Sequence, residues 1–155
     1  MKQLTEYIIE KLKIDKSVNQ FNYYPKNYDE LKNTIRQLLK ERGKDADLND
    51  IDISKVTEMW ELFRDLDPHN IDISKWDVSH VKAFTRMFIR CKNFNSDISN
   101  WNLKSATHTN DMFWECENFD CNLEKWNLDI DKLVNGEGMF YGCKKLKVPS
   151  WYKEN

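Results

Sequence analysis

Glycine and proline are scarce, with four Gly and three Pro in 155 residues. That excludes a long Gly- or Pro-rich linker and a collagen-like repeat. There is no excess of basic charge: 24 Lys and Arg stand against 26 Asp and Glu, a formal net charge of -2. Bulk composition therefore gives no pull towards nucleic acid or an anionic membrane. No stretch approaches the roughly 18 apolar residues that a membrane span needs. The first 13 residues carry a charge every few positions, with no signal-peptide core and no lipobox cysteine. These features lead us to expect a soluble, cytoplasmic protein that does not engage the membrane.

Motifs of chemistry are also missing. The four cysteines, Cys91, Cys116, Cys121 and Cys143, include no Cys-x-x-Cys, and His69, His80 and His108 are scattered. A structural zinc site needs ligands at tighter spacing. Asn135-Gly136-Glu137-Gly138 lacks the Gly-Lys-Ser/Thr of a phosphate loop. Asp52, Asp72, Asp77 and Asp97 fit neither a calcium-binding Gly-rich nonapeptide nor an EF-hand loop, and read as turn residues. No nucleophile-elbow pattern occurs. The expectation is a protein without catalysis, metal or cofactor.

What is present is a repeat. Asp72–Asn95 reads DISKWDVSHVKAFTRMFIRCKNFN and Asp97–Asp120 reads DISNWNLKSATHTNDMFWECENFD. Trp76, Trp101, Trp126 and Trp151 fall at a constant step of 25, with Ile51 one step earlier. Phe63, Phe88 and Phe113 keep the same step, as do Leu66, Cys91 and Cys116. In the last copy Met139, Phe140 and Cys143 arrive two residues late, and Trp151 returns to phase. The tryptophans replace Ile51 in register, so they read as core rather than as stacking platforms for sugars or bases. The Cys ladder reads as buried free thiols.

Such a step predicts a coil with one turn per copy, since a single turn cannot bury its own apolar face. Alternation at Trp76-Asp77-Val78 and Trp101-Asn102-Leu103 predicts short strands, paired in parallel between copies. Lys82–Arg90 and Thr109–Glu115 predict short helices or 3-10 turns on the opposite side. The expected fold is thus an α/β solenoid of about four turns with an N-terminal helical cap. Residues 1–46 are the two-helix cap, with one helix over Lys2–Lys13 and a second opened by Asn27 and Glu30 and closed at Gly43. Residues 47–155 are the repeats, divided as 47–71, 72–96, 97–121 and 122–148, with a C-terminal cap at 149–155.

Asp72, Ile73, Ser74, Trp76, Asp77, Val78, Ser79, Val81, Met87, Phe88, Cys91, Phe94 and Asn95 carry one copy of a pattern. Asp97, Ile98, Ser99, Trp101, Asn102, Leu103, Met112, Phe113, Cys116 and Phe119 carry a second. The pattern resembles the 25-residue repeats of BspA-like and Mycoplasma-type bacterial surface proteins. The resemblance implies a leucine-rich-repeat-like solenoid and a binding surface, and similar modules are expected in phage proteins.

If shared positions pack, recognition belongs to positions that vary. These are Lys75, Ser79, His80 and Lys82, then Asn100, Lys104, Ser105 and His108, then Lys125, Asp129 and Asp131. Trp60 and Trp114 depart from the ladder and are candidate interface anchors. The leading expectation is a protein-binding module of bacterial or phage origin. One alternative is a phage-type inhibitor of a defence nuclease, of the anti-CRISPR kind. A second is nucleic-acid binding through Lys11, Lys13, Lys16, Lys26, Lys32, Arg36, Lys40 and Arg42, since residues 1–46 carry 10 Lys and Arg against 7 Asp and Glu. A third is a fragment of a surface adhesin.

Overall fold

A computed structural model describes residues 21–153. The expected helix over Lys2–Lys13 lies outside them. The second helix forms as α1, Tyr28–Arg42. Asn27 sits in extended backbone and its side chain accepts the Glu30 N–H at 3.0 Å. The Glu30 carboxylate reaches back to the Lys26 N–H at 2.8 Å. One donor that helix geometry leaves orphaned, the Glu30 N–H, is thereby satisfied, and the chain leading into the cap is fixed by the second bond. Gly43, at φ 87, ends the helix and donates to the Leu39 carbonyl. Leu31, Ile35, Leu38 and Leu39 are buried in the common core.

Beyond α1 the expected α/β, leucine-rich-repeat-like solenoid is corrected. The described residues hold no further α-helix, only a 3-10 turn at Ile130–Lys132. They hold no extended strand and no sheet: copies meet at four isolated parallel bridges, among them Glu58 to Ala83, Ala83 to His108 and His108 to Asn135, and a fifth joins Tyr23 to Ile51. The backbone explains why. Glu61, Arg86 and Asp111 have φ between 51° and 55°, and Asp65, Arg90 and Glu115 between 58° and 63°. A left-handed residue every four positions breaks any helix over Lys82–Arg90 or Thr109–Glu115, and a strand as well. In the last copy glycines take those places, Gly138 at φ 66 and Gly142 at φ 74.

The alternation lets every second amide point at the next copy. Arg86, Phe88 and Arg90 donate to the carbonyls of Asn110, Met112 and Trp114 at 2.7–3.0 Å. The amides between them close local turns, Met87 to Phe84 and Ile89 to Arg86. Asp111, Phe113 and Glu115 repeat the pattern onto Glu137, Met139 and Tyr141.

Nor is Trp76-Asp77-Val78 a strand, because its alternation has another cause. Asp77 accepts the Ser79 N–H in a tight turn, as Asp52 does from Ser54, Asp72 from Ser74 and Asp97 from Ser99. Trp76 is buried, and its indole N–H donates to the Leu48 carbonyl 28 residues earlier at 2.9 Å. Trp101, Trp126 and Trp151 do the same to Ile73, Ile98 and Leu123 at 3.1, 2.9 and 2.8 Å. Phe63, Phe88, Phe113 and Phe140 stack through the core with ring centroids 5.0, 5.4 and 5.8 Å apart.

Candidate functional site

The surface over the left-handed turns carries four columns of residues, one member per copy. Glu61, Arg86 and Asp111 form a charged column: the Arg86 guanidinium lies 3.0 Å from Asp111 and 4.0 Å from Glu61. In a second column Arg90 pairs with Glu115 at 3.2 Å. Trp60, Thr85, Asn110 and Glu137 form a third, in which Thr85 donates to Asn110 at 2.8 Å. Arg64, Ile89, Trp114 and Tyr141 form the fourth. Trp60 and Trp114 therefore stand on one face, two copies apart. At the ~4.8 Å spacing of hydrogen-bonded neighbours that is about 10 Å along the stacking direction.

Each Trp lies flat on a tyrosine. Trp60 stacks on Tyr28 of α1, with centroids 4.7 Å apart and planes 13° apart, and it remains 45% exposed. Lys32 fixes this pair: its ammonium donates to Tyr28 Oη and to the Glu61 carbonyl, both at 3.0 Å. Trp114 stacks on Tyr141 at 4.0 Å, and Tyr141 is 53% exposed. Tyr28 and Tyr141 were not among the residues that sequence singled out. Their signal was the same as that of the two tryptophans: aromatic residues off the shared register.

The other expected contacts divide. Lys75, Asn100 and Lys125 share a register position and are exposed, as are Lys82 and Lys104. His80 is half-buried and works inside the fold: its Nε2 lies 3.2 Å from the Ile53 carbonyl and 3.0 Å from that of Val56, so that nitrogen carries the proton. His108 is half-buried, with Nδ1 3.0 Å from Thr107 Oγ1. Ser79 and Ser105 are half-buried; Asp129 is held by Lys132 at 2.7 Å, and Asp131 is exposed.

Of the basic residues expected to contact nucleic acid, Lys11, Lys13 and Lys16 lie outside the described residues. Lys32 is engaged as above. Arg42 forms a two-pronged pair with Asp50, both contacts 2.9 Å, and donates to the Asp47 carbonyl. The hydrogen bonds between Arg42 and Asp50 hold the Asp50 carboxyl below its usual range and raise the guanidinium further. Arg36, Lys40 and Lys26 are exposed.

The thiols are tied into the fold. Cys91, Cys116 and Cys143 donate to the carbonyls of Phe63, Phe88 and Phe113 at 3.4, 2.9 and 3.1 Å. Burial pushes all three above the usual thiol range, Cys143 to about 12. Such thiols are poor nucleophiles. Among the described residues no three His, Cys, Asp or Glu side chains gather as a metal-ligand set. No helix there is long and apolar enough to cross a membrane.

The profile of a family described as Mycoplasma protein of unknown function, DUF285, matches residues 29–151. The chain belongs to this family. Comparison with curated proteins and with solved structures returned no match. The DUF285 match supports the Mycoplasma-type reading of the repeats. It corrects the phage and anti-CRISPR readings, since the family description is bacterial and carries nothing of phage or of host defence.

Proposed function

We propose that this DUF285 chain is a non-catalytic protein-binding module whose partner docks on the face carrying Trp60 and Trp114. The observation that supports this most is Trp60. A ring 45% exposed, yet clamped flat between a tyrosine and solvent, has already lost its rotamer freedom. An anchor of that kind binds without a further ordering cost. Trp114 on Tyr141 repeats the stack with the roles exchanged, since Trp114 is half-buried and Tyr141 is the exposed ring. The charged columns between them hold Arg86, Arg90, Asp111 and Glu115 in fixed places, which gives a partner a defined pattern to match. The exposed row of Lys75, Asn100 and Lys125 supplies further polar contacts. Thiols used as hydrogen-bond donors suit a reducing compartment, so the reading places the module in the cytoplasm.

The test is capture of a protein from bacterial lysate, with nuclease treatment, by the native chain and by Trp60→Ala/Trp114→Ala. A stoichiometric protein that survives nuclease and binds the double variant about 30-fold more weakly is the expected result. Circular dichroism and a melting curve confirm that the variant is folded. Equal capture by the folded variant overturns the assignment. Loss of all capture on nuclease treatment moves the contact to Arg36 and Lys40.

A further inference from the structure

The ladder between copies has a direction. At Arg86, Phe88 and Arg90, and again at Asp111, Phe113 and Glu115, the N–H points towards the following copy and meets its carbonyls. Over these stretches the peptide dipoles therefore align along the stack with the positive end towards the last copy, while Lys82, Thr107 and Val134 on a neighbouring side donate to the preceding copy. The last copy has no successor among the described residues. The amides of Gly136, Gly138, Phe140 and Gly142 occupy the donor register of Thr109, Asp111, Phe113 and Glu115, and none of the four has a hydrogen-bond partner among the described residues. The neighbouring carbonyls of Asn135, Glu137, Met139 and Tyr141 are already taken by the preceding copy. Over this stretch the edge is a row of donors, unlike an ordinary strand edge, which alternates donors and acceptors.

Charge points the same way. The column of Lys92, Glu117 and Lys144 alternates in sign, with contacts of 3.5 and 2.6 Å, and ends on Lys144. The next position in that column calls for a carboxylate. Residues 136–153 carry Lys144, Lys145, Lys147 and Lys153 against the single acid Glu137. Apolar surface lies alongside: Ile130 and Val134 are 51% and 74% exposed and line a cleft of about 600 Å³ with Gly136 and Trp151.

We propose that the Gly136–Gly142 edge is a docking site for an extended acidic peptide segment of a partner protein, which offers main-chain carbonyls to the four amides and carboxylates to Lys144 and Lys145. A second copy of this chain does not fit. Two such edges set tail to tail would face donor to donor. The opposite end of the stack carries α1, through Tyr28 on Trp60 and Lys32 on the Glu61 carbonyl. The site adjoins the Trp60 and Trp114 face at Tyr141, on which Trp114 stacks, but it uses main-chain amides with Lys144 and Lys145 rather than the indole rings, so different substitutions test the two assignments and either can fail alone.

The probe is a labelled eight-residue peptide of alternating Val and Asp, titrated into the full chain and read by fluorescence anisotropy and by amide NMR. Binding should shift the amides of Gly136, Gly138, Phe140 and Gly142, and leave those of Asp111, Phe113 and Glu115 in place. Because the peptide only accepts, N-methylation of either alternate set of residues should preserve binding, whereas on an ordinary strand edge methylating the set whose N–H groups face that edge would abolish it. Lys144→Glu/Lys145→Glu should weaken binding about tenfold, from two exposed charge contacts. The proposal is overturned by absence of binding at millimolar peptide, by equal binding of a Val/Lys peptide, or by shifts centred on other residues. It is also overturned if the chain self-associates in sedimentation and Val134→Lys abolishes that association.

Discussion

Replacing Trp101 by phenylalanine tests whether the tryptophan ladder holds the copies together. Trp101 is 3% exposed, and its indole N–H donates to the Ile73 carbonyl at 3.1 Å. That carbonyl also accepts the Trp76 N–H at 3.1 Å, so Trp101→Phe leaves it with one partner rather than none. The lost hydrogen bond then costs about 1 kcal/mol, near the net value of an ordinary one. The smaller ring gives up buried apolar area worth a further ~1–2 kcal/mol at 25 cal/mol per Å². The expected loss is about 2–3 kcal/mol. Trp151→Phe is the internal control: it breaks the equivalent bond to Leu123, at 2.8 Å, but at a half-buried position with less packing to lose. It should cost about 1 kcal/mol. Urea unfolding followed by circular dichroism measures both, with an unchanged m-value showing that only stability has moved. A loss below 1 kcal/mol for Trp101→Phe, or one no larger than for Trp151→Phe, refutes the reasoning.

Two more changes probe the backbone and the thiols. Gly138→Ala places a Cβ 2.5 Å from Asp111 Oδ1 and 3.2 Å from the Trp114 ring, at φ 66; it should destabilise by about 2 kcal/mol, whereas Asp65→Gly, at φ 63 with a side chain 88% exposed, should stabilise by up to ~1 kcal/mol in the same urea assay. Burial raises the folded-state thiol values of Cys91, Cys116 and Cys143, so the native state holds protons that the unfolded chain releases above the ordinary thiol value. Stability is then fully present below about pH 8.5 and falls as pH rises through the interval up to the folded values, by about 1.4 kcal/mol per thiol for each pH unit; a flat stability profile between pH 8.5 and 10.5 would contradict this.

The 25-residue step was legible because packing columns demand one residue type each. Phe63, Phe88 and Phe113 stack on one another, and Cys91, Cys116 and Cys143 each meet a carbonyl of the copy before. The caps and buried face of α1 were legible because Asn27, Glu30 and Gly43 have local chemistry that fixes where a helix starts and stops. The backbone between the columns was not. Glu61, Arg86, Arg90 and Glu115 carry no mark of left-handed φ, and Asp65 and Asp111 only a weak one, since Asp visits that region more often than Glu or Arg but far less often than Gly. The one available signal was Gly138 and Gly142, which fall in those two columns once the two-residue shift of the last copy is applied. A glycine in register with a charged residue points to a backbone shape that the charged residue adopts at a cost. Without that inference, Trp-Asp-Val looked like strand alternation, although the pattern comes from an indole aimed at a carbonyl and a carboxylate closing a turn.

For the site, sequence could separate positions that vary from positions that pack, but it could not say which varied positions the fold consumes. His80, Lys32 and Arg42 are all polar and off-register, yet each satisfies main-chain carbonyls, with Arg42 also pairing Asp50. Partners 5 to 29 residues away in the chain decide this, and no local pattern encodes them. Trp60 escapes consumption for a physical reason. Its indole lies on the flat face of Tyr28, so packing takes one side and leaves nearly half the residue in water. The ladder tryptophans instead spend their N–H on a carbonyl and their rings on the core. The same residue type thus serves stability at Trp76, Trp101, Trp126 and Trp151, and exposure at Trp60. The difference is whether the column beneath offers a carbonyl or an aromatic face.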